Sequence, residues 1–284
     1  MNTATRTAFS KGLYATGILA LLIGCIAPAE AAIILVSKGV IASGTDTSGL
    51  FGAPADLAGK SYKMTITYDD FSSAFHTSSA TFDKESGRMT GVVGVTVGGS
   101  AFSANVGQSF GALVYVNNNG AFSELTGFQS GNDVQGQNVY ASHDLSSTLG
   151  LVTGPAIGMT SYTAVAGDIG RVSFTTTGPS GAAAFTATPS ASWLVHPPVE
   201  LINALMTYIS GAGFSEGIQT SLLAKLASAQ SYLADGDAAS AVQAITDLVN
   251  EVKAQDSKHI GSSQGAEITG QAQTAIYVIG VLND

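Results

Sequence analysis

The segment KSYKMTITYDD, residues 60–70, carries the clearest structural pattern in the sequence. Large side chains occupy every second position, at Tyr62, Met64, Ile66 and Tyr68, while lysine or threonine fills the positions between them. Because neighbouring side chains of a strand point to opposite faces, this period of two predicts a strand with one buried face.

Similar β-branched segments with turn residues between them lie on both sides of this strand. They cover residues 32–42, 91–99, 111–120, 137–144, 170–178 and 182–189. The sequence NNNG at 117–120 is typical of a tight turn that tolerates positive φ. No helical period separates these segments, so we predict an antiparallel β-sandwich over about residues 32–195.

The segment TPSASWLVHPP, residues 188–198, ends the strand-like region. Its two adjacent prolines cannot continue a strand ladder, and the apolar pattern changes period after them. We therefore predict a proline-containing linker at 196–200 between two domains. Trp193, just before this linker, has two interpretations: a packing residue at the domain boundary, or an aromatic platform for a ligand.

Residues 201–284 have the period of amphipathic helices, in four separate segments. The run SLLAKLASAQSYLADGDAASAVQAITDLVNEVKAQ (221–255) is interrupted once, at Asp235-Gly236-Asp237. Gly236 suits the end of one helix, and Asp237 suits the N-cap of the next. Helices this short are not stable alone, so we predict a small four-helix bundle and a chain that is mainly β plus α.

Residues 1–31 have the organisation of a signal peptide. A positive start with Arg6 and Lys11 precedes a short apolar core, and the final AEA supplies the small residues that signal peptidase recognises. We predict cleavage between Ala31 and Ala32, which would give a secreted or periplasmic bacterial protein.

The sequence LIGC, ending at Cys25, leaves a second route open, because it fits the lipobox of bacterial lipoproteins. Lipidation at Cys25 would tether the protein to a membrane. Cys25 is the only cysteine. Cleavage before Ala32 would therefore leave a mature chain without disulfides or cysteine-ligated zinc.

The composition limits the partners that the protein can have. The net charge is −9, and removal of residues 1–31, with two basic residues and one acidic residue, makes it −10. Nucleic acid is not an expected partner, because the chain has no basic cluster to replace phosphate counterions. The apolar stretch at 275–282 is too short to cross a membrane, so we expect no transmembrane helix in the mature chain.

The helical part resembles the FIMAH domain, a C-terminal module of exported bacterial proteins. The resemblance covers about residues 201–282 and rests on LINALMTYI, on the segment from GIQTSLLAKL to VNEVKAQDSKHI, and on AEITGQAQTAIYVI. Where many of these domains have a cysteine in the third helix, this chain has Val242 or a neighbour. The resemblance implies an accessory or interaction module and no catalytic residues.

The first part is similar to the secreted β domain of PEP-CTERM-type bacterial exported proteins. The residues that carry this likeness are SGTDTSGLFGAPADLAGKSYKMTITYD, residues 43–69. The sorting tail of that group, with its Pro-Glu-Pro motif, membrane helix and basic end, does not follow. We therefore do not expect sorting by that route.

One sequence motif suggests hydrolysis. GQSFG, residues 107–111, matches the G-x-S-x-G pattern around a nucleophilic serine, which would be Ser109. That motif needs a strand before it and a helix after it, but here a strand-like segment follows. We therefore expect no enzyme activity and keep a serine hydrolase using Ser109 as the weakest alternative.

Metal sites have few candidates. The four histidines are far apart in the sequence and lack metal-ligand spacing. Asp46, Asp69 and Asp70 could supply oxygen ligands for calcium, although acidic residues in loops more often cap turns. We predict no cofactor and keep calcium as an alternative.

Aromatic residues provide a second functional hypothesis. Tyr115, Phe122 and Tyr140 could form a sugar-binding platform if their rings are exposed. The leading hypothesis remains an exported, non-enzymatic protein that acts in cell-surface or extracellular interactions. The alternative is a carbohydrate- or ligand-binding module.

Overall fold

The computed structural model describes residues 32–70, 74–78, 82–117, 123–147, 160–163, 168–179, 181–256 and 258–284. In these ranges eleven strands precede four helices. The strands are β1 (Ile33–Asp46), β2 (Ala55–Asp56), β3 (Ser61–Asp70), β4 (Ala74–Ser78), β5 (Phe82–Val97), β6 (Ser100–Asn117), β7 (Ser123–Asn132), β8 (Asn138–Ser147), β9 (Thr160–Thr163), β10 (Ile169–Gly178) and β11 (Gly181–Val195). The helices are α1 (Pro198–Gly211), α2 (Glu216–Ala234), α3 (Ala238–Gln255) and α4 (Ser262–Asn283).

The strands form one sheet that curls into a barrel-like ring. The ring runs through β1, β3, β5, β6, β7, β8, β10 and β11. Antiparallel pairing of β11 with β1, from Ile34 opposite Val195 to Asp46 opposite Ala183, closes it. The predicted β-sandwich is therefore wrong. Alternation shows which side chains point inward, but it is the same for two facing sheets and for one sheet whose first and last strands pair.

A packed hydrophobic core fills the ring. The alternation predicted for β3 is confirmed, because Tyr62, Met64, Ile66 and Tyr68 are all buried. Phe174 lies at the centre of an aromatic group: its ring centroid is 6.0 Å from that of Phe51, 5.7 Å from Phe102 and 5.5 Å from Phe185. Eight strands enclose a space just wide enough for such side chains.

Irregular pairing bends β1 along the closing seam. Its register against β11 shifts between Lys38 and Gly39, and again between Ile41 and Ser43. Such bulges bend a strand and increase its twist. Gly44 permits a close approach here, because a Cβ atom at this position would lie 2.4 Å from the Cβ atom of Phe185.

The four predicted helices are confirmed, and they share a hydrophobic core. The predicted break between α2 and α3 is also confirmed. Gly236 has a φ of +76°, and the Asp237 side chain accepts a hydrogen bond of 3.0 Å from the backbone N–H of Ser240. Among the described residues, no helix combines the length and the apolar character needed to cross a bilayer.

Helix α4 packs against the outer face of the seam between β1 and β11. Ile34, Val36, Val195, Val278 and Val281 form a buried apolar cluster there.

Polar contacts flank this cluster. The Trp193 indole N–H donates a hydrogen bond of 2.8 Å to the Tyr277 hydroxyl, and the Lys63 ammonium donates to the Leu282 carbonyl near the end of α4. Trp193 is partly buried against the apolar cluster, which is consistent with its interpretation as a packing residue. Strand β11 ends at Val195 and α1 begins at Pro198, inside the segment predicted as a linker.

Candidate functional site

A shallow groove lies on the outer face of the ring, across β8, β10, β11 and β1. The strand register aligns outward side chains into rows. In one row Ser142 lies opposite Ser173, Ser173 opposite Thr186, and Thr186 opposite Ser43. The hydroxyl oxygens of Ser43 and Thr186 are 2.9 Å apart. Four adjacent strands thus present four hydroxyl groups side by side.

A second row runs parallel to the first and begins with an aromatic ring. Tyr140 lies opposite Thr175, Thr175 opposite Ala184, and Ala184 opposite Thr45. Tyr140 is 39% exposed, although its neighbours Val139 and Ala141 are buried in the core. The strand period therefore places this ring on the groove side.

Two opposite charges lie at the other end of the groove. Asp144 lies directly opposite Arg171 in the pairing of β8 with β10, and both side chains are exposed. The Thr126 hydroxyl donates a hydrogen bond of 2.8 Å to the Asp144 carboxylate. Four residues of strand separate Asp144 from Tyr140, a distance of about 13 Å. The groove thus has an aromatic end, a hydroxyl-lined middle and a charged end.

The groove volume is about 560 Å³, which is within the range of small-molecule sites. Its lining mixes neutral donors and acceptors with one acidic side chain, one basic side chain and an exposed ring. Hydroxyl groups both donate and accept hydrogen bonds, whereas arginine only donates and an ionised carboxylate only accepts. The surface therefore matches a ligand that carries many hydroxyl groups.

Only one of the three aromatic candidates can be assigned to this groove. Tyr140 is part of it. Tyr115 is described by its backbone alone, within β6, and Phe122 is outside the described residues. Sequence reasoning missed the polar lining, because no local pattern shows that β8 and β1 lie on either side of β10 and β11.

Asp46, the first calcium candidate, anchors a loop. One carboxylate oxygen accepts backbone N–H groups from Ser48, Gly49 and Leu50, and the other accepts that of Phe51 at 2.7 Å. Burial alone would raise the pKa of Asp46, but these hydrogen bonds outweigh it and lower the pKa below its usual value. A cation at the same oxygens would have to displace these donors.

The remaining predicted site residues are described only in part. Asp69 and Asp70 end β3, and Ser109 lies within β6 with strand on both sides of it; in each case the description covers the backbone. Cys25 and Ala31 lie outside the described residues. In the part of the chain that is described, no group of three or more His, Cys, Asp or Glu side chains is arranged to hold a metal ion.

A buried histidine–serine pair lies inside the ring. His143 Nδ1 is 3.2 Å from the Leu125 carbonyl oxygen, and Nε2 is 2.8 Å from the Ser192 hydroxyl. A carbonyl only accepts, so Nδ1–H donates to it and the Ser192 hydroxyl donates to Nε2.

This pair is structural. Both side chains are fully buried in the packed interior, so no substrate can reach them. Burial lowers the pKa of His143 to about 4, which keeps the ring neutral. Alternation along β8 marks His143 as inward, but no local signal identifies Ser192 as its partner.

Comparison of the chain with protein-family models, curated proteins and solved structures finds no significant match. The likeness to FIMAH domains and to PEP-CTERM-type exported proteins therefore remains an expectation from sequence.

Proposed function

We propose that this is an exported, non-enzymatic bacterial protein that binds a carbohydrate in the groove of its barrel-like domain. The observation that carries the proposal is the juxtaposition of the exposed Tyr140 ring with rows of outward hydroxyl groups. An aromatic ring covers the apolar face of a sugar, while the hydroxyl rows and the side chains of Asp144 and Arg171 bond to its hydroxyl groups. The site needs no cofactor.

Charge favours a neutral ligand. The chain carries a net charge of −9, which repels polyanions such as nucleic acids at long range. In the groove, the negative charge of Asp144 and the positive charge of Arg171 sum to zero. A neutral polysaccharide of the cell surface or extracellular matrix therefore fits better than a charged polymer.

Export is the second element of the proposal. The signal-peptide organisation of residues 1–31 supports cleavage before Ala32 and a secreted or periplasmic location. Lipidation at Cys25 is the alternative, and it would place the same groove on a membrane-tethered lipoprotein. In either case the helices act as an accessory module against the β1–β11 seam, as the FIMAH resemblance implies.

Binding of the purified protein to a panel of insoluble polysaccharides and soluble oligosaccharides tests the proposal. We expect retention on at least one neutral glycan. Tyr140→Ala should weaken this binding about tenfold, because stacking and area burial contribute on the order of 1.5 kcal/mol.

Tyr232→Ala is the matched control. Tyr232 is 40% exposed but lies on α2, away from the groove residues. Its replacement should leave glycan binding unchanged. Absence of binding across the panel, or equal losses in the two tyrosine variants, would refute the carbohydrate site.

A further inference from the structure

The start of β1 meets the start of α1 at a polar joint. The closing ladder places Ile34 opposite Val195, so Ala32 lies beside the residues that lead from β11 into α1. His196 Nδ1–H donates a hydrogen bond of 3.3 Å to the Ala32 carbonyl. The Ala32 backbone nitrogen donates one of 3.0 Å to Glu200 Oε1. We call Ala32, His196 and Glu200 the N-terminal joint.

Only one of the two carboxylate oxygens of Glu200 accepts a hydrogen bond at this joint. Its second carboxylate oxygen, Oε2, is buried and has no hydrogen-bond partner among the described residues. A buried carboxylate oxygen without a donor is costly, and an isolated negative charge is more so. As an amide, the Ala32 nitrogen offers one N–H and no positive charge. The joint therefore lacks a cation and further donors at the Ala32 position.

We propose that cleavage before Ala32 completes this site, because the freed α-ammonium group of Ala32 forms an ion pair with Glu200 and fastens β1 to α1. The inference rests on the proposed export. Hydrolysis by signal peptidase adds water across the Ala31–Ala32 peptide bond. Ala31 leaves with the new carboxylate and Ala32 keeps the amine, which is mostly protonated at neutral pH. The ammonium brings three N–H donors and a charge in place of one neutral N–H, and such charge-assisted bonds are the stronger kind.

The two routes of maturation would therefore yield different joints. After cleavage before Ala32, both carboxylate oxygens of Glu200 have a charged donor group beside them. After lipidation at Cys25, residues 25–31 stay attached and the Ala32 nitrogen remains an amide. The ion pair is thus a structural signature of the soluble product.

Proteins with defined first residues test this inference. We compare the chain starting at Ala32 with the chain starting at Ala31, both released from a cleavable fusion, with and without Glu200→Gln. The chain starting at Ala32 should melt about 2–4 °C higher than the extended chain. Glu200→Gln should remove this difference. It should also speed the reaction of the α-amino group with an amine-labelling reagent, because that group is no longer paired.

Glu216→Gln is the matched control, since Glu216 is an exposed acid in the first turn of α2. Glu216→Gln should preserve the difference in Tm between the chains that start at Ala32 and Ala31. It should also preserve the slow labelling of the Ala32 α-amino group. Equal Tm values for the two starts, or a difference that persists in Glu200→Gln, would overturn the ion pair. The intact mass of the protein from its own cells tests export separately, because a first residue other than Ala32 refutes the cleavage site without altering the result on defined chains.

Discussion

His143 makes the stability of the protein depend on pH below neutrality. The unfolded chain takes up a proton on histidine near pH 6.5, whereas burial lowers the pKa in the folded protein to about 4. Between these values the unfolded state binds more protons, so the free energy of unfolding decreases as the pH falls from 6.5 to 4 and then levels off. The decrease amounts to about 3 kcal/mol.

Urea unfolding between about pH 7 and 4.5 measures this effect. His143→Gln should be less stable at pH 7 and should lose most of the pH dependence in this range. His259→Gln, which replaces an exposed histidine, should behave like the unmodified protein. Asp46 affects stability in a lower pH range. Its contribution to the free energy of unfolding is fully present above its usual pKa and is lost only as the pH falls through its lowered folded-state pKa. An unchanged slope in His143→Gln would contradict the assignment.

At the scale of secondary-structure elements, Gly236 sets the end of α2. Its φ is +76° and nothing lies within 4 Å of the position that a Cβ atom would take. Alanine there should cost about 1–2 kcal/mol from backbone strain alone. Gly270, in the middle of α4, also has open space around it but helical geometry, so Gly270→Ala should stabilise by about 0.5–1 kcal/mol. Denaturant titrations measure the change in the free energy of unfolding for each variant. Changes of the same sign in the two variants would exclude this explanation.

Local periods predicted most of these elements. Tyr62 to Tyr68 identified β3, and Asp237 identified the start of α3, because in both cases the deciding residues are within a few positions of each other. Closure of the ring depends on Ile34 pairing with Val195, at opposite ends of the strand region. The hydrophobic pattern of either strand is compatible with other neighbours.

The candidate site likewise combines a feature that sequence could suggest with features that depend on the pairing of distant strands. Its aromatic residue, Tyr140, was one of three candidates from sequence, and alternation along the strand could not by itself establish that its ring is exposed. The row from Ser142 to Ser43 was not expected, because it exists only once four strands are placed in register. The pairing of Ala32 with Glu200 likewise requires the closed ring and the helix that follows it.

At the scale of the whole molecule, the helices are attached to the ring through an apolar cluster with polar contacts around it. Val278 and Val281 of α4 are buried against β1 and β11. Unfolding of either the helices or the ring therefore breaks these shared apolar contacts. Trp193, the only tryptophan, lies at this attachment and donates to Tyr277. Its fluorescence therefore reports on the attachment, while circular dichroism at helical wavelengths reports on the helices.

Val278→Asp should separate these two signals. In the unmodified protein we expect fluorescence and circular dichroism to change at the same denaturant concentration, as cooperative unfolding requires. An aspartate at the fully buried position 278 places a charge in the apolar cluster, so Trp193 fluorescence should change at lower denaturant than the helical signal. Val40→Asp is the control, because Val40 is 56% exposed on β1 and should keep both transitions together. Coincident transitions in Val278→Asp would mean that the helices depend on some other contact for their attachment.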